Sequence, residues 1–82
     1  MRTEPRSGAE ARSTRLAKRS LVISGHRTSL SLEDAFWTAL KEIAARRELS
    51  LPRLVGEIDE SRGNANLSSA LRVFVLETLR PQ

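Results

Sequence analysis

The chain has 82 residues, no cysteine and a formal net charge of +4 at pH 7. This excludes a disulfide-stapled fold, a thiolate metal site and more than one domain. His26 is the single histidine and cannot hold a metal by itself. Residues 1–20 contain few large apolar side chains, so about 60 residues remain to build a core, a size at which a lone chain is only marginally stable. Association with another chain is the expected remedy.

Charge is unevenly placed. Residues 1–29 carry seven basic residues (Arg2, Arg6, Arg12, Arg15, Lys18, Arg19 and Arg27) against Glu4 and Glu10, a net +5, while residues 30–82 sum to −1. The basic character therefore belongs to the N-terminal arm and the strand after it. Residues 1–20 mix Arg, Ser, Thr, Glu, Gly and Pro without a stable period and are expected to be a disordered basic arm. Such an arm fits either of two readings, a phosphate-contacting segment or a solvated tail. Lys18 and Arg19 are its best-placed phosphate contacts. The aliphatic run Leu21-Val22-Ile23 is too short for a signal core or a membrane span. A cytoplasmic protein without membrane contact is expected, and the absence of cysteine fits a reducing compartment.

From Arg27 the pattern has period two. Thr28, Leu30 and Leu32 share one side of a strand, and Arg27, Ser29 and Ser31 share the other. Leu21 to Ser24 forms a second short extended piece before Gly25. No second strand of matching strength appears downstream. The simplest way to satisfy the strand's backbone groups is pairing with the same strand of another copy.

Three helices follow. Ser31-Leu32-Glu33-Asp34 reads as a cap with acids in the first turn, leading into Phe36, Leu40, Ile43 and Ala44 at helical spacing with Trp37 and Ala39 beside the stripe. Ser50 is a good N-cap for a second helix, whose Leu51, Leu54, Val55 and Ile58 match the amphipathic template, and Arg53 and Glu57 pair on its outside. Gly63-Asn64-Ala65-Asn66 ends it. Asn66 caps a third helix through Leu67, Leu71, Phe74 and Val75 to about Leu79. Val73 and Leu76 widen its apolar face, as expected of a helix buried on more than one side at a dimer interface. The spacing contains no P-loop, nucleophile elbow or paired histidines. No enzymatic activity and no cofactor or metal are expected.

The ordered set His26-Arg27-Thr28-Ser29-Leu30-Ser31-Leu32-Glu33, Phe36-Trp37, Leu40, Ile43-Ala44, Ser50-Leu51, Leu54, Ile58 and Asn66 to Arg72 resembles the ribbon-helix-helix family, notably its bacterial subgroup with an additional C-terminal helix. The likeness covers about residues 20–80. It implies a mainly α fold in which the N-terminal β-strand pairs with that of a second chain and three helices follow, with residues 21–82 as the dimerisation and DNA-binding domain. It further implies a homodimer on double-stranded DNA whose two-stranded ribbon enters the major groove. By position, Arg27, Ser29 and Ser31 read bases, and the opening of the second helix (Ser50, Leu51 and Arg53) clamps a phosphate. The second helix has no acid in its first turn, which independently suits an anion, although Pro52 removes one donor. The resemblance implies a transcriptional regulator or an antitoxin-type repressor, the latter with a toxin or other protein partner. The alternative is a dimerisation or protein-interaction module of the same fold that reads little or no DNA sequence.

Overall fold

The computed structural model describes residues 14–80. The disorder expected for residues 1–13 lies outside them. The elements are β1 (Leu16–Ile23), β2 (His26–Glu33), α1 (Asp34–Arg46), α2 (Leu51–Ser61) and α3 (Leu67–Leu79).

β1 and β2 form an antiparallel hairpin, with Leu16 opposite Glu33 and Ile23 opposite His26. Ser24 and Gly25 make the two-residue loop with φ of 52° and 82°. Positive φ at both positions is the type I′ turn, whose twist matches that of paired strands. The residues flanking such a loop form a hydrogen-bonded pair, so alternation makes Leu21/Thr28, Arg19/Leu30 and Ala17/Leu32 bonded pairs as well. The Asp34 amide donates to the Arg15 carbonyl at 2.9 Å, which continues the same phase past the strand ends.

This hairpin corrects two expectations. Leu16 to Ser20, expected in the arm, are the start of β1. The partner of β2 therefore lies upstream in its own chain, and β2 does not require a second copy merely to satisfy its backbone. One edge of β2 is taken by β1. On its other edge the backbone groups of Arg27, Ser29 and Ser31 point away from the hairpin.

The helices pack on one face of the hairpin. Ile23, Leu30 and Leu32 from the strands meet Trp37, Leu40, Ile43 and Ala44 of α1, Leu54, Val55 and Ile58 of α2, and Leu71 and Val75 of α3. Full burial of a large aliphatic side chain contributes roughly 1.5–3 kcal/mol. Leu32, Leu40, Leu54 and Leu71 each reach it. Phe36 is only partly buried and Trp37 takes the inward place on α1. Its indole nitrogen donates to the Ala17 carbonyl at 2.9 Å, tying α1 to β1. α2 lies against β1, close enough that a side chain at Gly56 would touch the Ile23 methyl at 3.4 Å.

Ser50 caps α2 by accepting from the Arg53 amide at 3.2 Å, and Asn66 caps α3 by accepting from the Ser69 amide at 3.2 Å. Ser31 is not a cap. β2 runs on through Glu33, which occupies the N-cap position of α1 without a side-chain capping bond. Its carboxylate instead receives two bonds from Arg72 of α3, from Nε at 3.0 Å and from the outer guanidinium nitrogen at 3.4 Å. Arg72 also lies 6.0 Å from the Phe36 ring.

The Glu33 carboxyl is held below its ordinary value of 4.5, first by its own backbone amide and then by Arg72. A depressed folded-state pKa contributes stability above the unfolded value that is lost as pH falls through the folded one. Glu33→Gln is expected to melt at lower temperature than the native chain at neutral pH. The gap should close as pH falls below the carboxylate range, and thermal melts followed by circular dichroism across pH check this. Trp37→Phe removes the indole bond and leaves a small void. It should cost about 1–3 kcal/mol in chemical denaturation.

Candidate nucleic-acid interface

The face of the hairpin turned away from the helices carries Arg27, Ser29 and Ser31 from β2, opposite Val22, Ser20 and Lys18 from β1. Arg27 and Ser29 are exposed and Ser31 is half-buried, while Lys18 and Ser20 are exposed. Lys18 and Arg27 stand near opposite ends of this face. Among the described residues, neither is in an ion pair. The acid on the same face, Glu33, is neutralised by Arg72. The result is a small basic platform of short side chains between two long cations, the composition expected to attract phosphate and base edges. Sequence reading placed the β2 residues on one face by their period. It did not see that Lys18 and Ser20 join them, because that depends on the pairing of β1.

Arg19 is placed elsewhere. It sits opposite Leu30 on the helix-facing side, with its guanidinium 5.4 Å from the centre of the Trp37 ring. A cation over an indole face is attracted by the ring quadrupole. Arg19 thus covers the edge of the core, while its neighbour Lys18 faces outward. The two residues expected to act together on phosphate lie on opposite faces of the sheet.

The start of α2 holds fewer donors than expected. The Arg53 amide is taken by Ser50, the Leu54 amide donates to the Ser50 carbonyl at 3.0 Å, and Pro52 has no amide hydrogen. The Leu51 amide remains. The Arg53 side chain is exposed and lies 3.6 Å from Glu57. An exposed pair of this kind is weak and opens readily to another anion. The α2 N-terminus is therefore a site of one amide, the helix dipole and one loosely held guanidinium.

His26 is exposed at the hairpin tip. Among the described residues, no group of three or more His, Cys, Asp or Glu could hold a metal ion, and no helix is long and apolar enough to cross a membrane.

A comparison with curated proteins finds no match. Among solved structures, the chain is similar to an uncharacterized protein from Bordetella pertussis Tohama I, at 42% sequence identity and a TM-score of 0.72, over 82% of this chain. The chain spans 58% of the length of that relative. The family model for the ribbon-helix-helix domain matches residues 16–79, from the first residue of β1 to the last of α3. With the outward-facing strand residues, the capped second helix and the sheet-to-helix order already described, that match shows that this chain belongs to the ribbon-helix-helix family.

Proposed function

We propose that the chain is a dimeric, non-enzymatic DNA-binding regulator of the cytoplasm that contacts duplex DNA with the outer face of its hairpin. The observation that carries this reading is the convergence of Lys18, Ser20, Arg27, Ser29 and Ser31 on one basic face. Family membership supports it, since ribbon-helix-helix domains generally form dimers and bind DNA. The open edge of β2 supplies the surface for a second copy, giving a sheet ordered β1–β2–β2–β1. Strands lie about 4.8 Å apart, and a major groove about 12 Å wide admits two of them. In that arrangement the two β2 strands face the base edges. The outer β1 strands lie over the groove walls, which places Lys18 near phosphate. Arg27 is long enough to reach a guanine edge, whereas Ser29 and Ser31 act at short range or through water. The Leu51 amide and Arg53 add a flanking phosphate contact. An antitoxin-type repressor is the form of this reading in which the same dimer also holds a protein partner.

A second reading is favoured by two observations, the short reach of Ser29 and Ser31 and the shortage of amides at the start of α2. It is a dimerisation module of the same fold that does not read DNA sequence.

Selection of bound duplexes from a random pool, followed by salt titration, separates the two. The first reading expects an enriched motif and an affinity that falls linearly with salt on logarithmic axes. Absence of duplex binding at low salt overturns it. Given binding, Arg27→Ala should lower preference for one base pair by about 1–3 kcal/mol. Lys18→Gln should weaken all sequences alike and reduce the salt slope by about 1 per chain. Arg19→Gln is expected to change the salt slope little, because its guanidinium lies on the opposite face.

A further inference from the structure

α3 has an apolar side with no partner among the described residues. Val73, Leu76 and Leu79 are 50%, 55% and 53% exposed. With Phe36, Val75 and the Arg72 stem they line a shallow hollow of about 320 Å³. Val75 and Leu71 on the inner side already belong to the core, so this outer stripe is surplus to the folding of one chain.

The position of the stripe identifies what covers it. α2 packs under β1, whereas α1 and α3 pack under β2, so α3 lies on the β2 side of the hairpin. Its first turn shares a cleft with the middle of β2, where Leu67 and Ser68 lie near Ser29 and Leu30. One turn later Arg72 reaches Glu33 at the end of β2. Residues three and four apart lie on one helix face. The row Ser68, Arg72 that tracks the strand therefore continues directly into Leu76 and Leu79. The unpaired strand edge and the exposed helix stripe are one continuous surface.

The N-terminal residues are poorly suited to cover it. Residues 1–13 contain no Leu, Ile, Val, Phe or Trp. Strand pairing alone buries little apolar area, while a stable interface removes about 1,200–2,000 Å² from water. A copy arriving at β2 meets the outer side of α3 at the same time and gains apolar burial there.

We propose that a second copy of this chain covers the Val73–Leu76–Leu79 stripe of α3, together with Phe36 of α1 beside it, in the same association that pairs the β2 edges. The inference rests on the shared-sheet reading above and adds a second, apolar seam to it. The third helix is then part of the dimer interface, and the strength of dimerisation is set largely by residues remote from the DNA-facing platform.

Sedimentation velocity over a range of concentrations tests this with two variants. Ser29→Pro removes an amide that points to the open edge while leaving the bonds to β1 intact. It is expected to leave a folded monomer. Leu76→Glu places a charge on the exposed stripe and is expected to weaken dimerisation at least about tenfold, with an unchanged circular dichroism spectrum. If Ser29→Pro is monomeric but Leu76→Glu dimerises like the native chain, the shared sheet stands and the α3 seam is overturned. A native chain that stays monomeric at every concentration overturns both. The chain has no cysteine, so alkylation of Leu76→Cys gives an independent readout that does not require a destabilising charge. Its rate should fall as protein concentration rises, while that of Lys41→Cys, on the exposed side of α1, should not. Equal, concentration-independent rates for the two overturn the seam.

Discussion

The pairing register between β1 and β2 is the constraint from which the rest of the molecule follows. The Ser24–Gly25 turn sets the phase, and the phase decides which residues face the helices. Because side chains alternate, a slip of β2 by one residue against β1 would send Arg27 toward the core and Leu30 and Leu32 into solvent. The register is held at both ends. Trp37 fastens the Ala17 carbonyl to α1, and Arg72 fastens Glu33 to α3. The hairpin is thus locked to the helices at the end remote from its turn, and Ile23 against Gly56 secures the turn end.

The same register explains how charge is distributed. The helix-facing side of β1 includes one cation, Arg19, and an aromatic face accommodates it. Lys18 and Arg27 are left on the outer side. α1 begins with Asp34 and borrows Glu33, whereas α2 and α3 begin without acids. The hairpin's own acid, Glu33, is paired with Arg72, and Asp34 after it stands at a helix N-terminus, where the dipole favours it. What remains unpaired on the hairpin is positive.

Much of this was legible in the residue order. β2 announces itself through three alternating pairs, and α2 and α3 through Ser50 and Asn66 followed by apolar residues at helical spacing. β1 was not legible. Its inward positions are Ala17, Arg19, Leu21 and Ile23, and an arginine at the second of them breaks the apolar alternation. Only the Trp37 ring, far along the chain, makes that arginine suitable there. The Ser-Gly pair between two extended runs was the available sign of a hairpin. Ser31 misled because Ser before acids is a common capping pattern. Here β2 continues two residues further, since Leu32 is needed in the core. The β2 platform residues were placed correctly by period alone. Lys18 and Arg19 could not be separated without knowing that they lie in a strand.

An unpaired strand edge invites uncontrolled growth, since any exposed row of amides and carbonyls can template another strand. β1 limits this by covering one side of β2. In the shared sheet proposed above, the remaining row joins the same row of an identical chain, a two-fold contact that closes on itself. Extending the sheet further would require the far edge of β1, where the Lys18 amide faces outward beside a charged side chain and α2 stands close to Val22. In that proposed sheet β1 lies outermost, so its far edge and not that of β2 is the one left to solvent.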